Sequence, residues 1–167
     1  FDLNKTNFQE VKNYIENIDL EDSQNLNPKK IEIPVCCDEN FSMDIKRLEE
    51  ILKLSREKIL EKFLNKEYFC YMTGFIAGMP FLGDLDENMR AQRLETPRVK
   101  VPKGSVAITE QFANIYTFES PGGWNILGNT PLSVFDSSKE DKPNLINPGD
   151  TVIFKEITID QYKNFNE

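Results

Sequence analysis

The pattern of apolar and polar positions divides the chain into a helical first part and a strand-rich second part. Apolar residues at helical spacing predict helices over 6–18 and 44–65. Thr6 and Gln9 have capping-box spacing, and Ser55 is placed to cap the second of two pieces of the later helix. The mixed charges of the later helix, which include Arg47 and Glu49, indicate a solvated face. Alternation predicts a strand over 31–35, and the polar run 19–30 predicts a linker.

From residue 67 onward, short apolar and aromatic runs alternate with turn residues. They predict strands over 67–75, 98–101, 105–109, 114–118, 124–127, 132–135 and 151–157, with turns at 79–83, 102–104, 121–123 and 148–150. All eight glycines lie between Gly74 and Gly149. Such spacing predicts a closed or nearly closed β-barrel, with the preceding helix over an open end or edge. The last ten residues predict an exposed helical or frayed tail.

Composition narrows the class of protein. A chain of 167 residues with 39% hydrophobic residues suits one domain of ordinary size with a small appendage. A net charge of -8 argues against a nucleic-acid partner, and no apolar run approaches a membrane span of about 18 residues. Since the first residue is Phe, we expect the sequence to start inside a longer gene product.

Cysteine and histidine usage limits the chemistry. Three cysteines without a visible signal peptide favour a reducing cytoplasm. The chain has no histidine, which excludes a Ser-His-Asp triad, a Cys-His pair and a His-based zinc site within it. Cys36, Cys37 and Cys70 lack the spacing of a structural zinc site, so no metal site is expected.

Two stretches offer groups for binding an anion. The run from Tyr71 through Gly78 to Gly83 predicts a long glycine-rich loop whose amides can cradle an anion, although such loops are more often structural crossovers. Arg98, at the start of a predicted strand, can bind a carboxylate or phosphate through two hydrogen bonds. An ion pair of Arg98 with Glu95 or Glu119 is an equally good interpretation.

Two turns complete the candidate chemistry. Lys103 and Ser105 flank a glycine turn, although most such turns only reverse the chain. Glu119 and Ser120 precede Pro-Gly-Gly and the single tryptophan, Trp124, and without histidine Glu119 is the best-placed general base. The alternative for this stretch is a tight turn capped by a buried tryptophan. Arg98, Ser105, Glu119 and Ser120 are expected to line one cleft of the barrel.

An ordered set of motifs between about residues 31 and 157 resembles one family. That family is the bacterial B subunit of ATP-dependent 5-oxoprolinase, also called allophanate hydrolase subunit 1 or KipI-like protein. It is homologous to part of the carboxyltransferase region of urea carboxylase. The resemblance is carried by Glu32-Ile-Pro-Val35, Tyr68-Phe-Cys-Tyr-Met-Thr-Gly-Phe75, Gly78-Met-Pro-Phe-Leu-Gly83, Thr96-Pro-Arg98, Val101-Pro-Lys-Gly-Ser-Val106, Glu119-Ser-Pro-Gly-Gly-Trp124, Gly128-Asn-Thr-Pro131 and Asn147-Pro-Gly-Asp150.

The resemblance implies a mostly-β fold with flanking helices, a cyclophilin-like β-barrel preceded by the remnant of a small α+β domain. The expected divisions are residues 1–30 as the last helix and linker of the truncated domain, 31–160 as the barrel and 161–167 as a C-terminal tail.

The resemblance also implies an activity and partners. The B subunit is expected to work with a homologous C-type subunit, similar to allophanate hydrolase subunit 2, and with an A subunit of the LamB/YcsF type. Together they open the lactam of 5-oxoproline to glutamate, and ATP is bound by the complex. The implied catalytic residues are Glu119, Ser120 and Ser105. The implied substrate- or anion-binding residues are Arg98, Tyr71, Gly78, Lys103, Gly122, Gly123, Trp124 and Thr130.

Several departures from the family pattern keep other functions open. Phe63 stands where relatives usually carry a histidine, and Ala77, Met79 and Phe81 change the glycine-rich loop. Glu110-Gln111 replaces a Gly-Gly pair, and 37–44 replaces another glycine-rich run. These changes fit a divergent paralogue, a non-catalytic subunit, or a KipI-like module that inhibits a sensor histidine kinase. A further interpretation, in which the chain is a fragment of an amide or urea carboxyltransferase, would need a biotin-bearing partner.

Overall fold

The computed structural model describes residues 5–17 and 27–165. Four helices occur in these ranges, α1 (Phe8–Glu16), α2 (Ile45–Leu52), α3 (Arg56–Leu64) and α4 (Ile159–Lys163), together with a 3₁₀ turn at Glu87–Met89. The nine strands of the same ranges are β1 (Lys30–Val35), β2 (Glu67–Thr73), β3 (Pro80–Gly83), β4 (Arg98–Val101), β5 (Ser105–Thr109), β6 (Phe112–Ile115), β7 (Ser120–Gly122), β8 (Asn125–Asn129) and β9 (Thr151–Glu156).

Seven of the strands form one sheet that curves almost into a closed barrel. Their order is β1-β9-β2-β3-β6-β5-β8, with β1 and β9 parallel and the other neighbours antiparallel. Just beyond β1, Cys36 and Asn129 exchange backbone hydrogen bonds of 2.8 and 3.0 Å, which joins the two outer strands. The expected fold class, mostly β with flanking helices around a barrel, is therefore confirmed.

Strand β5 separates two apolar clusters. Val106 and Ile108 point into the main core, whereas Ala107 points into a smaller cluster with Tyr116 and Trp124. The smaller cluster lies beneath a separate two-stranded ribbon formed by β4 and β7. Because both faces of β5 and β8 are covered, all residues of these two strands are buried.

The helices follow the periodicity of the sequence. Lys53 adopts a left-handed φ of 56° and ends α2, and the Ser55 hydroxyl accepts the Lys58 amide to start α3, as expected. Helix α1 is shorter than predicted, and its capping box is Asn7 with Glu10 instead of Thr6 with Gln9. The expected end of this helix at residue 18 and most of the predicted 19–30 linker lie outside the described residues.

Several strand predictions need correction. The predicted turn at 79–83 contains β3, and the predicted turn at 121–123 overlaps β7. The predicted strand at 132–135 is absent from the described part of the chain, where Phe135 makes a single bridge with Asn144. The tail prediction was better, since it contains the short capped helix α4. No helix within residues 5–17 and 27–165 is long and apolar enough to cross a membrane.

The three cysteines are buried free thiols. Burial raises the pKa of Cys37 from 9.0 to about 12, and the nearby Glu156 carboxylate adds to the rise. Burial likewise raises the pKa of Cys70 to about 11.

We expect these thiols to be unreactive towards a thiol-specific disulfide reagent at pH 8 in the folded protein, and all three to react after unfolding in urea.

Because the folded pKa values of Cys37 and Cys70 exceed the unfolded value, the unfolded chain loses these protons first as the pH rises. The free energy of unfolding should therefore be insensitive to these two thiols well below pH 9 and fall from about pH 9 to about pH 12, measured by urea denaturation. A Cys37→Ala variant should show a shallower fall, and an unchanged pH dependence would contradict the assignment.

Candidate functional site

A cavity of about 290 Å³ opens beside the smaller apolar cluster and is bounded by the β4–β7 ribbon. Most of its wall is apolar or aromatic, and Arg93 supplies the single charged side chain of the lining. A mostly apolar wall with one fixed polar group is typical of a small-molecule site. The residues that line it are Phe75, Met79, Phe81, Arg93, Pro97, Tyr116, Pro121, Gly122, Gly123 and Trp124.

A row of aromatic rings stiffens one wall of the cavity. Trp124 meets Phe81 edge-to-face at 5.7 Å, and Phe81 meets Phe112 in the same way at 5.9 Å. The row continues across the sheet to Tyr71, whose ring centroid lies 6.1 Å from that of Phe112, and it ends at Phe69, which contacts Tyr71. Edge-to-face pairs contribute about 0.5–1.5 kcal/mol each beyond their buried area. The orientation of Trp124 in the cavity is therefore set by the sheet.

Tyr116 and Gly122 fit each other at the cavity wall. A Cβ atom at Gly122 would overlap the Tyr116 hydroxyl and lie 2.7 Å from its Cζ, so only glycine leaves room for this phenol. Burial raises the pKa of Tyr116, although a hydrogen bond from the Trp124 amide opposes part of the rise. The phenol therefore remains protonated near neutral pH and can donate a hydrogen bond.

Arg93 lies in an irregular segment whose backbone is tied to the barrel on both sides. The Leu94 amide donates to the Gly123 carbonyl at 2.8 Å, and the Glu110 amide donates to the Ala91 carbonyl at 2.8 Å. Within the described ranges the Arg93 side chain itself makes no ion pair or hydrogen bond. Its guanidinium is thus available to an anionic ligand in the cavity.

Arg98 pairs with a residue that neither sequence interpretation considered. Its Nη2 lies 2.6 Å from Oδ1 of Asp44, a carboxylate that is only 4% exposed. The other oxygen of Asp44 accepts the Ile126 amide at 2.7 Å. The expected ion pair with Glu95 or Glu119 is therefore wrong, and Arg98 ties the ribbon to α2 and β8. Its buried Nη1 has no partner among the described residues, and a role in anion binding stays a prediction.

The expected catalytic trio does not meet in this cavity. Glu119 is exposed and forms an ion pair of 2.9 Å with exposed Lys100, which raises the pKa of that lysine. Ser105 is buried within β5, and the buried Ser120 hydroxyl in β7 has no partner in the described part of the chain. None of the three lines the cavity, so the expectation of one shared cleft is corrected. Their catalytic roles stay predictions.

The expected anion loop is short, because β2 ends at Thr73 and β3 begins at Pro80. Tyr71 faces the surface and donates to Asp84 at 2.8 Å. Gly78 has a φ of +69° and packs against the Phe135 ring, so it serves the turn and does not line the cavity.

Lys103 and Thr130 also lie away from the cavity. Lys103 donates to the Ser133 hydroxyl at 2.8 Å, and the Thr130 hydroxyl accepts the Leu132 amide at 3.2 Å. Of the expected binding residues, the structure places Gly122, Gly123 and Trp124 in the cavity. Among residues 5–17 and 27–165, no three side chains of the Cys, Asp or Glu type are arranged to hold a metal ion.

Sequence reasoning missed most of the apolar lining and Arg93. The signal for Arg93 was its position five residues before Arg98, which was considered for anion binding. Local spacing cannot tell which of two such arginines faces a cavity, because that depends on the path of an irregular segment. The place of Phe75 in the lining could not be predicted either, because it depends on a left-handed φ of 69° that turns the exposed ring towards the cavity mouth.

The chain is thus a nearly closed β-barrel with a mostly apolar cavity, and comparison with known proteins identifies its family. The family model described as carboxyltransferase domain, subdomain C and D, matches residues 1–146. The chain therefore belongs to this carboxyltransferase-domain family, and within it to the group of 5-oxoprolinase B subunits.

Curated relatives carry the name of that B subunit. The chain is 35% identical to the 5-oxoprolinase B subunit of Bacillus subtilis over 162 residues, covering 96% of this chain and 67% of the relative. It is 40% identical to the Haemophilus influenzae protein of that name, covering 75% of this chain and 59% of the relative. The chain thus spans 59–67% of the length of these two relatives.

Solved structures agree with this fold. A conserved uncharacterized protein from Pyrococcus horikoshii is 36% identical, with a TM-score of 0.76 over 97% of this chain and 74% of that one. Kluyveromyces lactis urea amidolyase is 20% identical, with a TM-score of 0.77 over 93% of this chain and 11% of that one, and shares the fold alone.

We expect Gly122→Ala to destabilise the protein by about 1–3 kcal/mol, because the new methyl group displaces Tyr116 or the ribbon. Gly123→Ala is the matched control, since the nearest atom to its Cβ would lie at an ordinary 3.6 Å. Urea denaturation compares the two variants. Equal stabilities would show that Tyr116 does not fill the space beside Gly122.

Asp44→Asn should cost roughly 3 kcal/mol, because it removes a buried charge that pairs with Arg98. Glu119→Gln breaks an ion pair between two exposed side chains and should leave the free energy of unfolding unchanged. Thermal and urea unfolding measure both variants. A larger loss from Glu119→Gln than from Asp44→Asn would reverse the structural roles given to the two carboxylates.

Proposed function

We propose that this chain supplies the barrel of the B subunit of an ATP-dependent 5-oxoprolinase, and that its cavity binds 5-oxoproline. The relatives that bear this name support the proposal at 35–40% identity. The observation that carries it is the cavity itself, an aromatic wall with one cation, Arg93, whose side chain has no ion pair or hydrogen bond with the described residues.

The ring methylenes, the carboxylate and the lactam oxygen of 5-oxoproline each have a matching group in the cavity. The ring methylenes suit the faces and edges of Phe81 and Trp124, which exclude water. The carboxylate suits the planar guanidinium of Arg93, which offers two parallel donors. The protonated Tyr116 hydroxyl suits the lactam oxygen, where a hydrogen bond draws electron density from the amide carbon.

The same cavity does not fit the triphosphate of ATP. A triphosphate needs several cations or a glycine-rich cradle, and the lining offers one arginine among apolar side chains. We therefore assign ATP binding to the complex with a homologous C-type subunit and an A subunit of the LamB/YcsF type. In the overall reaction, one water adds across the lactam C–N bond to give glutamate, and a second water is consumed as ATP becomes ADP and phosphate. The barrel's own part is to bind and orient the cyclic amide.

The loss of the family histidine at position 63 does not weaken this proposal. Phe63 is fully buried in the main core, where it stacks on Phe154 at 4.8 Å. Its backbone carbonyl accepts the Tyr68 hydroxyl at 3.0 Å. Position 63 therefore contributes to core packing, and the cavity on the other side of β5 keeps its lining.

Co-expression of the full-length protein with its C-type and A-type partners should give a complex that forms glutamate from 5-oxoproline and ATP. Arg93→Gln should raise the KM for 5-oxoproline about 10- to 100-fold, because a charge-assisted pair of roughly 1.5–3 kcal/mol is lost. Arg90→Gln is the control, since Arg90 lies in the same segment and, among the described residues, its side chain hydrogen-bonds only to the Leu85 carbonyl, at 3.4 Å.

Absence of turnover from a well-formed complex would refute the enzymatic proposal. Turnover with equal KM values for Arg93→Gln and Arg90→Gln would instead keep the activity and reject the cavity as the substrate site.

A further inference from the structure

Arg47 on α2 reaches the segment that carries Arg93. Its Nη1 donates to Oδ1 of Asn125 and to the Gln92 carbonyl at 3.4 Å, and its Nη2 donates to the Arg93 carbonyl at 3.5 Å. The preceding residue, Lys46, is exposed and makes no hydrogen bond or ion pair with any described residue. Two adjacent cations of one helix therefore have different structural roles.

Asn125 completes this connection from inside the barrel. Its side chain is fully buried, and its Nδ2 donates to the Gln92 carbonyl at 3.1 Å and to the Ile108 carbonyl at 3.2 Å. With Arg47 on its oxygen, the amide has every polar group satisfied. Arg47, Asn125 and Gln92 thus form a closed triangle that joins α2, β8 and the segment before Arg93.

The backbone around Arg93 is consequently held at several points. The Ala91 carbonyl accepts the Glu110 amide, Arg47 binds the next two carbonyls, and the Leu94 amide donates to Gly123. The Arg93 side chain, by contrast, has no hydrogen bond or ion pair with the described residues. An arginine whose backbone is held by hydrogen bonds and whose guanidinium has no partner is preorganised for a ligand, because little backbone entropy is lost on binding.

We propose that Arg47 is a positioning residue that orients Arg93 towards a carboxylate-bearing cyclic ligand. Only the forked guanidinium spans the amide oxygen and both carbonyls, so a shorter side chain releases the segment. The proposal rests on the proposed function for the identity of the ligand. The hydrogen-bond network that carries it is independent of that function.

The test compares a charged and a neutral ring in the full chain. Trp124 is the only tryptophan and lies in the cavity, so its fluorescence reports on binding there. The probes are 5-oxoproline and 2-pyrrolidinone, which lacks the carboxylate. Arg47→Gln should weaken 5-oxoproline binding roughly tenfold and leave 2-pyrrolidinone binding unchanged, because it affects only the pairing of Arg93. Lys46→Gln should leave both affinities unchanged.

The ratio of the two affinities separates positioning from general stability. A smaller folded fraction weakens both probes by the same factor and leaves the ratio unchanged, so an unchanged ratio in Arg47→Gln overturns the inference. If the wild-type chain binds neither probe, the proposed substrate site is wrong. Hydrogen exchange at the Leu94 amide then decides the positioning role: faster exchange in Arg47→Gln than in Lys46→Gln supports it, and equal exchange overturns it.

Discussion

The architecture depends on the close approach of β1 and β8, which turns a seven-stranded sheet into a barrel. Gly128 permits this approach, because a Cβ atom there would lie 2.6 Å from the Cys36 carbonyl oxygen. Next to it, Asn129 exchanges backbone hydrogen bonds with Cys36, while its side chain donates to the Lys103 carbonyl and accepts the Tyr162 hydroxyl. One residue therefore ties together the closure, the turn before β5 and helix α4. With the outer strands joined, the sheet exposes little unpaired backbone.

Helix α2 connects this barrel to the candidate site through hydrogen bonds made by two of its polar side chains. Its N-cap residue, Asp44, holds Arg98 of the ribbon and the start of β8, and one turn later Arg47 holds the segment before Arg93. Hydrophobic periodicity describes the apolar face of such a helix well. It does not distinguish a solvated charge from one at the margin of that face that contacts another element. Arg47 and Glu49 were both expected on a solvated face, yet Glu49 accepts the Arg56 amide and Arg47 binds three acceptors.

The sequence was most informative where one physical signal dominates. Strand β5 was predicted at its observed bounds because it is a short apolar run between two turns, and the break before Ser55 was visible as a helix cap. Strands β3 and β7 are only four and three residues long and lie in glycine- and proline-rich stretches, so their pairing depends on distant partners. The cavity could not be predicted from the sequence either, because its walls also depend on contacts between distant segments. Phe81, Arg93 and Tyr116 come from separate segments, whereas the signature around Glu119 contributed its glycines and tryptophan and left the carboxylate in solvent.

The division of the interior by β5 implies two levels of cooperativity in this small protein. The main core includes both helices α2 and α3 and most barrel strands, whereas the smaller cluster is covered by a ribbon that forms its own two-stranded sheet. Regions with fewer buried contacts open at a lower free energy than the whole fold. The ribbon is thus the part of the barrel that should open first, although the ion pair of Arg98 with the buried Asp44 carboxylate opposes that opening. Loss of this pair would lower the free energy of opening the ribbon and leave the hydrogen bonds between β1 and β8 unbroken.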